Sequence, residues 1–129
     1  MSAVVLDASA LLALLLGEPG AGKVADRLSD AVMSVFNFAE VASYFYKLGM
    51  SDGQVAAILK PLPMALVPGD EDLAWDAGRL RVVTASAGLS LGDRFCLALA
   101  RKRKLPALTS DKVWESIAQA IGVEIIVIR

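Results

Sequence analysis

The chain has 129 residues, 56% of them hydrophobic, with a formal net charge of −1, one cysteine and no histidine. That length can bury a core without disulfide or metal staples, and the missing histidines exclude a Ser-His-Asp triad, a Cys-His pair and any histidine general base. With a single cysteine, zinc sites of the usual kind are excluded too, so a metal here is held by oxygen, which points to magnesium, manganese or calcium.

AVVL, residues 3–6, reads as a first strand, followed by a helix through Leu16 that stops near Gly17. Its core, ASALLALLLG, is too short to cross a bilayer, and MSAVVLD lacks a positive leader, so the chain is expected to be cytoplasmic, with no membrane partner. EPGAGKVADRLSD opens with a turn and continues as a short amphipathic helix, and AVMSV (31–35) is a second strand. NFAEVASYFYKLG is a helix stopped at Gly49, and SDGQVAAILKPL another that ends before Pro61. MALV (64–67) is the third strand. DEDLAWDAGRLRVVTASAG reads as one long helix with an acidic first turn, which suits its dipole. SLGDRFCLALARKRK follows as a helix with Leu91, Phe95 and Leu99 on one stripe; Cys96 in the same apolar pattern is a small core residue. PALTS is a fourth strand, DKVWESIAQAIG a helix and VEIIVI a fifth strand.

Strands alternating with helices imply right-handed βαβ units, hence one α/β domain over 1–129 with a parallel sheet covered on both faces. Continuous Val/Ile/Leu strands fit that burial, and surplus apolar surface could also serve an interface. Ligands of such folds sit beyond the carboxyl ends of the strands, where the strand order reverses.

Four acids gather at that kind of position. Asp7 ends the first strand, Glu40 and Asp93 lie in first helical turns, and Asp111 follows the fourth strand. Each has a local explanation. Asn37-x-x-Glu40 and Ser90-x-x-Asp93 match a capping box, and Asp7 and Asp111 suit N-caps. Caps would spread along the sheet edge, whereas a metal site aims its carboxylates at one point, where their repulsion needs a cation. Ser9 beside Asp7, and Thr109 and Ser110 beside Asp111, could orient those carboxylates or simply bond nearby backbone. Spacing leaves both readings open.

VVLDASALLALLLGEPG, SVFNFAEV and LSLGDRFCLALARKRKLPALTSDKVW together resemble a PIN domain, and within that family the VapC-type toxins of bacterial toxin–antitoxin pairs. The match carries D-x-S after the first strand, N-x-x-E at a helix start, a late D before an apolar helix and T-x-D-x-x-W, in register over nearly the whole chain. The resemblance implies a three-layer α/β/α fold with a five-stranded parallel sheet of order 3-2-1-4-5. It also implies an endoribonuclease dependent on Mg²⁺ or Mn²⁺ whose catalytic and metal-holding residues are Asp7, Glu40, Asp93 and Asp111. Asp7 and Asp93 are then expected as direct ligands. Glu40 and Asp111 would act through water, with Ser9, Asn37, Thr109 and Ser110 as hydrogen-bonding support. The implied partners are RNA, a cognate VapB-type antitoxin that covers the acidic site, and a second copy of the chain.

Arg94 and Arg101 lie one heptad apart on the helix that carries Asp93, and Lys112 adjoins Asp111, so these three are candidates for contacts with RNA phosphates. RKRK (101–104) also reads as a solvated helix end that complements the dipole. Phe38, Tyr44, Phe45, Tyr46 and Trp75 are expected in core or interface. The alternatives are a phosphoacceptor receiver-like domain, which would want an adjacent acidic pair and a late lysine, and a non-catalytic metal-binding module.

Overall fold

In the computed structural model, which describes residues 3–129, five strands form one sheet in the order β3-β2-β1-β4-β5. They are β1 (Val4–Leu6), β2 (Ala31–Ser34), β3 (Ala65–Val67), β4 (Ala107–Thr109) and β5 (Ile125–Val127), and every pairing is parallel. This is the expected order. It differs from the 2-1-3-4-5 order of a receiver-type sheet, which removes that alternative.

The three-residue β1 is central, and its side chains alternate between two cores. Val4 and Leu6 pack with α1 (Ala8–Leu16), α2 (Ala21–Ala25), α3 (Val35–Lys47) and α4 (Asp52–Leu59). Val5 packs on the opposite face with α5 (Glu71–Arg79), α7 (Leu91–Arg103) and the end of α8 (Ala118–Ile121). A strand covered on both faces has no place for a polar residue, and all three β1 side chains are fully buried. Each contributes about 1.5–3 kcal/mol through the water it leaves.

Three expectations are corrected. Helix α3 begins at Val35, not Asn37, because Ser34 is both the last residue of β2 and the cap, its hydroxyl accepting the Phe36 N–H at 3.1 Å. Asn37-x-x-Glu40 is therefore not a capping box, and Asn37 lies in the first turn, fully buried. The long helix expected over 70–88 breaks into α5, α6 (Arg81–Thr84) and a 3₁₀ turn, Ala85–Ala87. The first break falls at Leu80, two residues after Gly78, a poor residue for a helix interior, and the Thr84 hydroxyl donates to the Leu80 carbonyl at 2.7 Å. The last expected helix is a 3₁₀ segment, Lys112–Ile117, followed by the single turn of α8.

Strands β1, β2 and β4 each pass directly at their carboxyl ends into a helical segment, capped by Asp7, Ser34 and Asp111 respectively. Helix α7 runs back along the sheet to feed β4, so its first turn, with Asp93, lies at that same edge. Among the described residues no single helix is long and apolar enough to cross a membrane.

Candidate active site

Asp7 sits where the sheet order reverses, between β1 and β4, with its N–H bonded to the Leu108 carbonyl at 3.2 Å. Asp7 is 3% exposed and its carboxylate accepts from three donors. The Ala10 N–H reaches Oδ1 at 2.8 Å, the Thr109 hydroxyl donates to Oδ2 at 2.6 Å, and the Ser9 hydroxyl lies 2.8 and 2.9 Å from the two oxygens. Each hydroxyl in turn accepts a backbone N–H from the segment after β4: Ser9 from Ser110 at 3.0 Å, Thr109 from Asp111 at 3.1 Å. Two hydroxyls thus tie the 109–111 segment to the Asp7 carboxylate. Ser110 takes part through its backbone.

Burial pushes the Asp7 carboxyl up to about 6, against the pull of the Thr109, Ala10 and Ser9 hydrogen bonds, and the charge of Asp93 adds to the rise. Glu40 is likewise raised, by partial burial of its carboxylate and by Asp93, while the Asn37 amide works in the opposite direction. Beneath them the buried Cys96 thiol is held protonated by desolvation and by the charges of Asp7, Asp93 and Glu40, so it is a core residue and not a nucleophile. The charge of Asp93, on α7, thus reaches both Asp7 at the end of β1 and Glu40 on α3.

Asp111 stands beside this group through Thr109, with its own carboxylate exposed and accepting the Val113 N–H at 3.0 Å. The cap expected there is present. So is the capping box at α7: the Ser90 N–H donates to Asp93 at 2.8 Å and the Asp93 N–H to Ser90 at 3.2 Å. Asp7, Asp93 and Asp111 are therefore all caps, and they stand with Glu40 at one edge of the sheet.

None of the ion pairs among the described residues involves the four acids; they join Arg79 to Asp76, Lys102 to Asp70 and Arg129 to Glu18. Nor do any three acidic or cysteine side chains there stand as a ready-made metal cage, because each carboxylate is turned to its own cap or amide. The donor set is nevertheless all oxygen and uncompensated. It suits a hard cation such as magnesium, which keeps several waters and needs only one or two direct carboxylates. Asp7 and Asp93 would be those ligands, with Glu40 and Asp111 at the waters.

The basic candidates separate. Arg94 is 8% exposed, its guanidinium donating to the Thr84 hydroxyl at 3.1 Å and the Leu89 carbonyl at 2.9 Å. It braces the connection leading to Ser90, which corrects its expected place on an RNA-facing surface. Arg101 is exposed, but eight residues of helix carry it about 12 Å from Asp93, toward the opposite edge of the sheet. Lys112 is exposed beside Asp111, on the side of the acids. Of the aromatics, Phe45 is buried, while Tyr46 and Trp75 are exposed. Sequence reasoning missed Gly92 and Phe36: the first meets the Glu40 carboxylate, the second stacks on Phe95 with ring centroids 3.9 Å apart. A glycine inside a helical first turn was the only local signal of either.

The family model for the PIN domain matches residues 4–120 of this chain, and no curated protein matches it. Among solved structures, a member of the VapBC family of toxin–antitoxin systems from Mycobacterium tuberculosis, VapBC-5, is 27% identical with a TM-score of 0.69, over 98% of this chain and 99% of that one. DNA-bound VapBC from Salmonella typhimurium is 17% identical with a TM-score of 0.73, over 100% of both chains. Mycobacterium tuberculosis VapC20, a toxin that cleaves the sarcin–ricin loop, is 19% identical with a TM-score of 0.71, over 88% of this chain and 93% of that one.

Proposed function

The chain belongs to the PIN domain family, and from that premise we propose that it is a metal-dependent endoribonuclease and the toxin of a toxin–antitoxin pair. The observation that carries the chemistry is that the charge of Asp93 acts on both Asp7 and Glu40, with no lysine or arginine among the described residues paired to any of the three. A cation placed among these carboxylates would offset the repulsion between them. Bound Mg²⁺ or Mn²⁺ would neutralise charge on the scissile phosphate and lower the pKa of a water.

The protein's own part is positional. Asp7 is locked by Ser9, Thr109 and Ala10, so its free lone pairs keep one direction. Asp93, whose Oδ2 accepts the Ser90 N–H at 2.8 Å, would hold the metal together with Asp7. Glu40 lies against α7, where it can orient the attacking water and take its proton, and Asp111 closes the other side. The absence of histidine fits hydrolysis by an activated water and argues against a histidine-pair route through a cyclic phosphate.

The toxin role rests on likeness to VapBC structures. It implies an antitoxin that covers the acids with a basic side chain, and a homodimeric toxin. The sarcin–ricin loop is a candidate substrate because a structurally similar toxin cleaves it.

The test is cleavage of tRNA and of an rRNA fragment carrying the sarcin–ricin loop by the purified, partner-free chain in Mn²⁺, Mg²⁺ and EDTA. Cleavage that needs metal and is lost in Asp7→Asn is the expected result. Equal cleavage in EDTA, or full activity in Asp7→Asn, would overturn the proposal.

A further inference from the structure

The site contains a contact that none of the four acids explains. The Asn37 side chain is fully buried, and its Nδ2 donates to Glu40 Oε1 at 3.0 Å and to the Gly92 carbonyl at 2.9 Å. Both partners are acceptors, so chemistry alone sets which end of the amide faces them. The other end, Oδ1, is left buried without a donor. A buried carbonyl oxygen with no partner costs stability, and an apolar residue would fill this place in α3 without that cost.

Gly92 meets the same carboxylate from the other side. A Cβ built there would lie within 2.6 Å of both Cδ and Oε1 of Glu40, and closer still to Oε2. The carboxylate therefore occupies the volume that any other residue at position 92 would claim. Glycine is a poor choice for a helical first turn on propensity alone, and its φ here is not in the left-handed region, so no turn requires it. Its missing side chain is used for close approach.

We infer that Asn37 and Gly92 are positioning residues: they clamp the Glu40 carboxylate between α3 and the first turn of α7, one residue from Asp93. This deepens the nuclease reading and rests on it for its consequence, since the clamp sets where Glu40 stands relative to the other acids. The clamp itself is a property of the metal-free chain.

Gly92→Ala tests it sharply, because alanine strengthens the helix while its methyl displaces the flexible end of Glu40. The expected result is a melting temperature equal to or above that of the parent chain, with Mn²⁺ affinity in titration calorimetry about tenfold weaker, the range seen for residues that support a metal ligand. In the metal-free protein the Asn37 side-chain NH₂ resonances, assigned by their loss in Asn37→Ala, shift in Gly92→Ala and in Glu40→Gln alike. On Mn²⁺ affinity, Gly92→Ala and Asn37→Ala add nothing further in a Glu40→Gln background, as expected of residues that act through it. Unmoved Asn37 resonances with parental Mn²⁺ affinity in Gly92→Ala, or effects that add fully to Glu40→Gln, would overturn the inference. If the parent chain binds no Mn²⁺ while the Asn37 resonances respond to both substitutions, the clamp stands and the nuclease reading falls.

Discussion

At neutral pH the metal-free Asp7 is a charged carboxylate that burial disfavours. The folded group titrates at about 6, against a reference of 3.8. Between those values the folded chain holds a proton that the unfolded chain has lost. Stability therefore falls as pH rises from about 4 to about 6, then stays low. A gap of roughly two units is worth about 3 kcal/mol. Asp7→Asn keeps a good N-cap and removes the charge, so urea unfolding in EDTA at pH 7.5 should show it more stable than the parent by about 1–3 kcal/mol. At pH 4 the gain should vanish; a gain independent of pH would mean that charge burial is not its source. Arg94 makes the opposite case. Its two donors hold Thr84 and the Leu89 carbonyl in a buried setting, so Arg94→Gln should cost about 2–3 kcal/mol in urea unfolding and leave the salt dependence of RNA binding unchanged. All four acids were legible as polar interruptions of apolar runs. Arg94 was misread because Arg94 and Arg101 share an angular position on α7 and differ in depth, which a helical wheel does not record.

At the scale of elements, α3 shows how a local signature misleads. Asn37-x-x-Glu40 satisfies the capping pattern in sequence, yet Ser34 caps the helix three residues earlier and Val35 passes from strand into helix. Ser34→Ala should lower unfolding free energy by about 1 kcal/mol; a neutral result in urea unfolding would place the start of α3 elsewhere. At α7 the pattern and the structure agree, because Ser90 follows a glycine-ended turn that separates it from the preceding helix. The break of the 70–88 segment at Leu80 was foreshadowed by Gly78, a poor helix former in an interior position.

At the scale of the molecule, the parallel sheet puts helix starts at one edge and helix ends at the other, so charge on α7 is divided between two surfaces. The exposed cations at Arg101–Lys104 lie away from the acids, whereas Lys112 lies beside them. Lys112→Gln should lower the slope of log binding constant against log salt for RNA by about 0.7–0.9, and Arg101→Gln should not. Equal slopes in both variants would mean that RNA crosses both edges. By itself the sequence determined the alternation of strands and helices, the two-sided burial and an oxygen-only site without histidine, because these depend on residue type and local period. Its resemblance to a family supplied the strand order. Only the tertiary structure decided that Asp93 acts on both Asp7 and Glu40, that Arg94 faces inward, and that Asn37 reaches Gly92 across 55 residues of chain. Those facts depend on which helices meet over the sheet edge, and contacts between distant segments leave no period in the residues that make them.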